Sequence, residues 1–482
     1  MLMQQRPGLL RGRGLILAAP ESGSGKTLVT AGLLRHLRER GIRVAAAKAG
    51  PDYIDPTFHE AASGGVCLNL DVWAMRPATL AGLVGALEAA ADIVLCEGVM
   101  GLFDGTGPDG EAGSTAALAK LTGWPVVLVV DARQQGASAA ALVAGFARHD
   151  PELALAGIVF NRVAGPRHRA VLEAAMARHL PGLPCLGALP RDPHLMLPER
   201  HLGLVPAGER AAAETIIARA ALAVAAGLDV DQLLALTLPR KRGREGWGLK
   251  ADGLGVDDRP GNSSPSPHPK PPPLAGEGTG APLPPLGTRI AVARDDAFVF
   301  AYPAVLEGWR RQGAELSFFS PLADEAPASA ADAVYLPGGY PELHGETLAG
   351  NSAFLSGLRA AANRQATIYG ECGGYMTLGE TLIDGADIAH RMAGLLPLVT
   401  SFAARRRHLG YRIFRLAAAT PLGAAGALFR GHEFHYASIV SEGAAAARLF
   451  EVQDAAGSAL GAAGLRIGSV MGSFMHLVDR AD

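Results

Sequence analysis

A stretch rich in proline and glycine divides this 482-residue chain into two parts. Residues 260–287, PGNSSPSPHPKPPPLAGEGTGAPLPPLG, contain ten prolines and five glycines. Proline lacks a backbone donor and glycine lacks a side chain, so a segment of this composition cannot build a packed core. We therefore predict a linker over residues 240–288, with one domain before it (1–239) and another after it (289–482).

Both parts alternate short apolar runs with stretches of helical length. In the first part, five apolar runs are typical of buried parallel strands: 14–19, 42–49, 92–98, 125–132 and 155–163. Helical patterns lie between or after them, at 26–40, 77–90, 135–149, 166–179 and 207–227. The same alternation occurs in the second part, where strand patterns lie at 288–298, 314–320, 332–340 and 366–376. The alternation predicts two α/β domains, the first with a doubly wound parallel sheet.

The charge balance and the cysteine spacing exclude several classes of protein. The net charge is −2, from 44 basic and 46 acidic residues, so no nucleic-acid or anionic membrane partner is expected. No apolar run approaches the roughly 18 residues of a membrane span, and the N-terminal residues do not resemble a signal peptide. The four cysteines form no C-x-x-C pair, which argues against a zinc knuckle. We predict a cytoplasmic protein.

The segment LAAPESGSGKT, residues 17–27, has the pattern of a phosphate-binding loop. A predicted strand runs into Gly23-Ser24-Gly25, and a predicted helix begins near Lys26 and Thr27. In that setting, backbone N–H groups and the helix N-terminus converge on an anion. Lys26 would reach the outer phosphates of ATP, and the Thr27 hydroxyl would bind Mg²⁺. Pro20 replaces the first glycine of the strict pattern, and an ordinary strand-to-helix turn is the alternative interpretation.

Polar residues follow three other predicted strands of the first domain. Asp52 and Asp55 lie in KAGPDYIDP (48–56), and Glu97 lies in CEGVMGLFDG (96–105). Ligands of open α/β sheets bind at the carboxyl ends of strands, so these segments should face one crevice. Asp52 and Glu97 are candidate Mg²⁺ ligands. For Asp52, the alternative is a turn residue without a ligand. Asn161 is a candidate adenine contact at a further strand end.

The second domain contains a candidate nucleophile in YGECGGYM, residues 369–376. Cys372 stands between glycines at the end of a predicted strand and before a predicted helix, the arrangement of a nucleophile elbow. The helix N-terminus is expected to lower the pKa of the thiol. A structural core cysteine is the alternative, but its glycine neighbours do not favour packing.

A nucleophile of this kind needs oxyanion donors and a base. LPGGYPE (336–342) can turn a backbone N–H near Gly339 or Tyr340 toward the developing oxyanion, together with Gly373 in the elbow. His476, in GSFMHLVD, is the first candidate base. His435, in GHEFHY, is the second candidate base. We favour for it a role in substrate binding or at the domain interface.

These motifs together resemble the cobyrinic acid a,c-diamide synthases, over nearly the whole chain except the proline-rich linker. APESGSGKT and KAGPDYIDP occur in the synthetase half of that family, which is similar to dethiobiotin synthetase. LPGGYPE and GECGGYM occur in the other half, a class I glutamine amidotransferase-like domain. Because the two halves occur together, the resemblance is more specific than either motif alone.

The resemblance implies an ATP- and Mg²⁺-dependent ligase of cobalamin biosynthesis. Cys372 and His476 would release ammonia from L-glutamine through a glutamyl thioester. The synthetase domain would convert the a and c acetate carboxylates of a corrin acid into acyl phosphates, which ammonia then converts to amides. Tyr53, Asp55 and His435 are the expected substrate contacts. The corrin is either hydrogenobyrinic or cobyrinic acid, and a homodimer is compatible with the sequence.

One position departs from the amidotransferase pattern. Many of these enzymes carry a glutamate two residues after the histidine, whereas this chain has Val478 there and Asp479 next. The sequence therefore leaves open which group orients His476. Two other functions stay open as well: a cobyric acid synthase acting on other corrin carboxylates, and a P-loop ATPase switch with a non-catalytic amidotransferase module. A nickel-sirohydrochlorin a,c-diamide synthase is a more distant relative.

Overall fold

A computed structural model describes residues 13–107, 110–195, 207–237, 283–444 and 446–481. The predicted linker, 240–288, lies outside these ranges except for its last six residues. There Leu283 and Leu286 are buried, and the Gln312 side chain donates a hydrogen bond to the Leu283 carbonyl at 2.8 Å. Their packing ties the end of this segment to the second domain. The domain boundaries themselves stay a prediction.

The first domain is built on a seven-stranded sheet in which every pairing is parallel. Its strands are β1 (Gly14–Ala18), β2 (Val44–Ala49), β3 (Cys67–Leu70), β4 (Ile93–Glu97), β5 (Val126–Asp131), β6 (Leu155–Val163) and β7 (Cys185–Pro190). They are ordered β3-β2-β4-β1-β5-β6-β7. Strands β1 and β4 are neighbours, so the loops that follow them open at the same edge of the sheet.

Eight helices of the described residues connect or flank these strands: α1 (Lys26–Glu39), α2 (Asp55–Ser63), α3 (Pro77–Ala90), α4 (Thr115–Thr122), α5 (Ala139–His149), α6 (Pro166–His179), α7 (Ala207–Gly227) and α8 (Val230–Ala235). The doubly wound α/β prediction is confirmed. The sequence patterns missed β3 and β7, which contribute only four and six residues and lie at the two edges of the sheet. Among the described helices, none combines the length and the apolarity needed to cross a bilayer.

The second domain is α/β as predicted, but its main sheet is mixed. Its described strands are β8 (Arg289–Ala293), β9 (Glu315–Phe319), β10 (Ala333–Leu336), β11 (Thr367–Glu371), β12 (Thr381–Ile383), β13 (Ala389–Arg391), β14 (Leu398–Ser401), β15 (His408–Leu416), β16 (Leu428–His435), β17 (Ser438–Glu442), β18 (Ala447–Asp454), β19 (Ala459–Ile467), β20 (Val470–Ser473) and β21 (Met475–Arg480). Its described α-helices are α9 (Pro303–Arg311), α10 (Gly345–Gly350), α11 (Ser352–Asn363) and α12 (Gly373–Leu378). Short 3₁₀ turns lie at Pro321–Ala323 and Pro341–Leu343.

Ten strands form the main sheet, in the order β21-β16-β15-β18-β19-β20-β11-β10-β8-β9. The strands from β20 to β9 pair in parallel, whereas those from β21 to β20 pair antiparallel. A separate four-stranded sheet, β13-β12-β14-β17, packs beside it. Cys372 follows β11 in the parallel part, and His476 lies on β21 at the antiparallel edge.

The two domains share an extensive buried interface. Trp73 stacks on Tyr411 with ring centroids 4.5 Å apart, and the Tyr411 hydroxyl donates to Asp71 at 3.1 Å. Arg76 forms an ion pair with Asp479 at 2.8 Å, and Asp479 has no solvent exposure. Buried apolar residues of the two domains accordingly belong to one continuous cluster. This interface places two loops of the first domain against the β15, β16 and β21 edge of the second.

Candidate active sites

The phosphate-binding loop connects β1 to α1 and is held from the side by β6. Gly23 and Gly25 have φ values of 80° and 89°, which L side chains rarely adopt. The Asn161 side chain donates to the Ser24 carbonyl at 2.9 Å, and Arg162 donates to the Gly23 carbonyl at 2.7 Å. A Cβ on Gly25 would collide with Asn161. In this structure Asn161 supports the loop itself; its contact with adenine stays a prediction.

Lys26 lies buried at the start of α1, and its ammonium contacts neutral carbonyls. Its Nζ donates to the Met100 carbonyl at 2.6 Å and approaches the Glu21 carbonyl at 3.5 Å. Burial lowers the pKa of this ammonium, and Glu97 opposes that effect. A desolvated cation beside a glycine loop is suited to bind phosphate oxygens, so the loop fits a nucleotide.

A second cluster lies directly behind the loop, around Glu97 at the end of β4. The Thr27 hydroxyl donates to Glu97 at 2.8 Å, so two oxygen groups of the kind that Mg²⁺ prefers are adjacent. His59 contacts the other carboxylate oxygen at 2.6 Å, and Lys48 lies 3.2 Å away. Glu97 is 1% exposed. The predicted pair Thr27 and Glu97 is therefore brought together, and the donor set fits the metal.

Two further residues of this cluster, Lys48 and His59, were not predicted from the sequence. Lys48 forms a second ion pair with Asp55 at 2.9 Å and donates to the Gly98 carbonyl. Burial alone would lower the pKa of Lys48, but Glu97, Asp55 and Asp52 act against it, and the net shift is upward. It is the one charged residue of the otherwise apolar strand VAAAKA. A lysine in such a strand is seldom buried without a charged partner. The single lysine in an apolar strand could therefore have indicated a buried ion pair.

Asp52 has a local role in the loop between β2 and α2. One of its carboxylate oxygens accepts the backbone N–H groups of Ile54 at 2.7 Å and Asp55 at 3.0 Å. Burial, followed by the nearby Asp55, raises the pKa of Asp52 to about 6. These bonds fix the loop before α2. Binding of Mg²⁺ by Asp52 stays a prediction.

Cys372 occupies the predicted elbow between β11 and α12. Its backbone has φ 45° and ψ −101°, an unusual conformation for a residue with a side chain. The Sγ atom lies 3.8 Å from the Phe434 carbonyl, and the residue is 4% exposed. Burial, followed by Glu342, raises the pKa of the thiol, although the Gly373 N–H acts in the opposite direction. The expected lowering of this pKa is therefore wrong, because burial of the thiol outweighs the effect of the short helix α12, which has six residues.

His476 is held by three groups, one of which comes from the first domain. Its Nδ1 lies 3.2 Å from the Tyr53 hydroxyl and 3.9 Å from Glu371, and its ring is parallel to that of His432 at 4.8 Å. Nε2 has no hydrogen-bond partner among the described residues. Burial, followed by His432, lowers the pKa of His476 well below its usual value. Burial therefore favours the neutral imidazole, and its Nε2 is the ring nitrogen left for a contact with substrate or with the thiol.

In the described part of the chain, no hydrogen bond joins Cys372 to His476. Catalytic contacts of this kind are often long before substrate binds. Asp479, which follows the position where related enzymes carry glutamate, pairs with Arg76 of the other domain instead of with His476. Glu371 is the nearest carboxylate to the imidazole. It accepts hydrogen bonds from Tyr335 and Tyr369 at 2.8 and 3.1 Å, and burial raises its pKa to about 7.

A small cavity opens beside Cys372. Its volume is about 90 Å³, which suits a small molecule and not a tetrapyrrole ring. The lining includes Gly339, His435 and, from the first domain, Ile54. The Tyr340 N–H already donates to the Ala297 carbonyl at 3.0 Å. Of the two backbone donors predicted in LPGGYPE, the Gly339 N–H is therefore better suited to bind an oxyanion. Gly373 lies next to it: a Cβ on Gly373 would be 2.9 Å from the Gly339 nitrogen.

His435 lies at this cavity. Its Nδ1 faces the Ala437 carbonyl at 2.9 Å, and its Nε2 faces Glu433 at 3.0 Å. With His408, these residues bring possible metal-ligating atoms within 4.8 Å of one another. Arg412 already forms an ion pair with Glu433 at 2.8 Å, so we assign no metal to the group.

The fold and the two sites define a class of protein, an ATP-binding P-loop domain joined to a glutamine amidotransferase domain in one amide-forming ligase. Residues 15–205 match the CobQ/CobB/MinD/ParA nucleotide binding domain, and residues 289–482 match the CobB/CobQ-like glutamine amidotransferase domain. Hydrogenobyrinate a,c-diamide synthase of Brucella suis is 53% identical over 470 residues, covering 97% of this chain and 98% of the relative. The chain belongs to the hydrogenobyrinate a,c-diamide synthase family.

Other comparisons agree with this assignment. The synthase of Rhizobium meliloti is 50% identical over 97% of this chain and 99% of its own, and that of Rhodobacter capsulatus is 48% identical over 97% and 98%. Among solved structures, PurLQS from Thermotoga maritima is 17% identical, covers 40% of this chain and 88% of its own, and has a TM-score of 0.30. A likeness at that level supports no further conclusion.

Proposed function

We propose that the enzyme converts the a and c acetate side chains of hydrogenobyrinic acid into primary amides, using ATP and glutamine. One observation carries this proposal. A candidate nucleotide site around Lys26 and a candidate glutamine site around Cys372 occur in one chain, and about half of its residues are identical to those of hydrogenobyrinate a,c-diamide synthases. The proposed acceptor is the metal-free corrin, because the relatives are named for it.

In the amidotransferase domain, the Cys372 sulfur attacks the side-chain amide of glutamine. Since burial disfavours a free thiolate, the S–H proton passes to the vacant Nε2 of His476 as the S–C bond forms. The Gly339 and Gly373 N–H groups stabilise the oxyanion. His476 then returns the proton to the leaving nitrogen, which departs as ammonia. Water, deprotonated by the same imidazole, hydrolyses the thioester to glutamate.

In the synthetase domain, a carboxylate of the corrin attacks the γ-phosphorus of ATP. An acyl phosphate forms and ADP leaves. Lys26 and the N–H groups of residues 23–25 stabilise the charge on the transferring phosphoryl group. Thr27 and Glu97, with Asp52 as a further candidate, would hold Mg²⁺, which when bound neutralises charge on the phosphate oxygens. Ammonia then attacks the activated carbonyl, inorganic phosphate leaves, and a primary amide remains.

The proposal is tested by mass spectrometry of the product formed with ATP, Mg²⁺ and glutamine. Hydrogenobyrinic acid, cobyrinic acid and hydrogenobyrinic acid a,c-diamide are supplied in parallel as acceptors. We expect a diamide from the first acceptor and no further amidation of the third. Amidation of the preformed a,c-diamide would instead identify a cobyric acid synthase type of enzyme. Failure of all three acceptors would contradict amidation of a corrin.

A further inference from the structure

The loop of residues 51–55, Pro51-Asp52-Tyr53-Ile54-Asp55, touches both candidate sites. On one side Asp55 forms the ion pair with Lys48, which in turn contacts Glu97 beside the phosphate-binding loop. On the other side Ile54 lines the cavity of Cys372, and Tyr53 reaches His476. A single five-residue segment of the synthetase domain therefore contributes to the surroundings of the amidotransferase nucleophile and of its base.

Tyr53 enters an aromatic cluster that belongs otherwise to the second domain. Its ring centroid lies 4.9 Å from Phe300, 4.5 Å from Tyr302 and 5.3 Å from His476. Stacking of this kind fixes the ring plane, and hence the place of the hydroxyl. The hydroxyl is 3.2 Å from Nδ1 of His476, whereas Glu371 is 3.9 Å away and beyond hydrogen-bond distance. Tyr53 is therefore the described hydrogen-bond partner of this imidazole.

We propose that Tyr53 is a positioning residue for His476, and that it makes glutamine hydrolysis depend on the state of the synthetase domain. The proposal rests on the function proposed above. When Nδ1 carries the proton and donates it to the Tyr53 oxygen, Nε2 keeps its lone pair for the Cys372 proton, and the same bond fixes the plane of the ring. The Tyr302 hydroxyl, which hydrogen-bonds the Tyr53 hydroxyl, lies beside this contact, as do the His432 ring and the carboxyl of Glu371. Of these groups, the Tyr53 hydroxyl is the one within hydrogen-bond distance of Nδ1.

The route to the synthetase site runs through contacts already described. Asp52 fixes the backbone of the loop, and Asp55 ties it to Lys48 and Glu97. Glu97 accepts the bond from Thr27, the residue expected to lie against the nucleotide and its metal. Binding of ATP, Mg²⁺ and acceptor rearranges these charges, and the displacement is transmitted to the Tyr53 hydroxyl by a short, hydrogen-bonded segment. The loop of residues 51–55 is therefore a segment whose position both candidate sites can change.

The test is Tyr53→Phe, which keeps the stacked ring and removes only the hydroxyl. Glutaminase activity is measured with and without ATP, Mg²⁺ and hydrogenobyrinic acid, and amidation is measured with ammonium chloride in place of glutamine. We expect the kcat of glutaminase to fall about tenfold, with KM for glutamine unchanged, because one hydrogen bond to a reacting group is lost. Stimulation of glutaminase by ATP and acceptor should fall toward one. A parallel tenfold loss of ammonia-dependent amidation would identify Tyr53 as a substrate contact and would overturn the positioning role.

Tyr411→Phe is the matched control. It also removes a tyrosine hydroxyl at the domain interface, here the one bonded to Asp71, while keeping a ring stacked on Trp73. A tenfold loss in both variants would indicate a general weakening of the interface and would overturn the positioning role. Wild-type kcat and stimulation in Tyr53→Phe would overturn it as well. Since ammonia-dependent amidation is read separately, its absence in the wild-type enzyme would count against the proposed function and not against Tyr53.

Discussion

The two candidate sites of this enzyme are assembled in opposite ways. The nucleotide site is built from neighbouring strands of one sheet. Lys26 and Thr27 begin the helix that follows the loop after β1, and Glu97 is the last residue of β4. The glutamine site takes Cys372 from a parallel strand end, His476 from the far edge of a mixed sheet and Tyr53 from the other domain. The difference shows that the first site is a property of one fold, whereas the second is completed by the interface.

The sharpest way to separate the two sites is to remove the nucleophile. In Cys372→Ala we expect glutaminase and glutamine-dependent amidation to fall roughly 10⁴-fold or more, because no thioester can form. Ammonia-dependent amidation should remain near the wild-type rate. Both activities are followed by product mass spectrometry and glutamate release. Full use of glutamine by this variant would contradict the thioester mechanism.

The converse variant is Lys26→Ala, which removes the cation of the phosphate-binding loop. Amidation from either nitrogen source should fall about 10²–10³-fold, since the charge of the transferring phosphoryl group loses a preorganised partner. Basal glutaminase, measured without ATP or acceptor, should be retained. Cys372→Ala serves as its mirror-image control. Unchanged amidation with ammonia would rule out the assignment of the loop.

A third variant tests how tightly the surrounding residues hold the His476 imidazole in place. A Cβ at Gly338 would lie 2.5 Å from Cε1 of His476, so Gly338→Ala must displace the ring. We expect glutaminase to fall about 100-fold, because small displacements of a catalytic group carry penalties of that size. Ammonia-dependent amidation should be spared. Gly350→Ala, where a Cβ meets nothing within 4 Å, is the matched control. Equal activity of both variants would show that the ring is free to move.

The last prediction concerns the stability of the protein around the glutamine site and its pH dependence. Burial raises the pKa of Glu371 to about 7, whereas the unfolded chain releases this proton near pH 4.5. The folded state therefore holds a proton that the unfolded state has lost, and stability from this group decreases as pH rises from about 4.5 to 7. Relative to Glu371→Gln, the wild-type free energy of unfolding should fall by roughly 3 kcal/mol over that interval. Denaturant titrations at pH 5 and pH 8 measure it, and parallel curves for the two proteins would contradict the shift.

Local patterns and the family resemblance predicted much of the fold and named several members of each candidate site, among them Thr27 and Glu97, which the structure brings together. The phosphate-binding loop, the strand before it and the elbow around Cys372 depend on neighbours in sequence, so the chain reveals them directly. Lys48 was missed because its partners come from separate elements, Asp55 from the start of α2 and Glu97 from the end of β4. Glu371 was missed although it precedes Cys372, because its role depends on Tyr335, Tyr369 and the packing around them.

The question of what orients His476 could not be answered from its own neighbourhood. Asp479 lies next to the position where related enzymes carry glutamate, yet β21 directs it toward Arg76, and the Tyr53 hydroxyl is the group that hydrogen-bonds the imidazole. The separation of 423 residues between Tyr53 and His476 is closed only when the domains dock. No pattern within either motif contains that information.

The pairing of Arg76 with Asp479 limits how the chain can be divided. Asp479 has no solvent exposure, and its cationic partner comes from the domain at the opposite end of the polypeptide. If residues 289–482 were produced alone, that carboxylate would have to be hydrated or protonated, and the edge strand that carries His476 would lose its cover. Cutting the molecule between its halves would therefore yield fragments that must recombine before either resembles the intact enzyme.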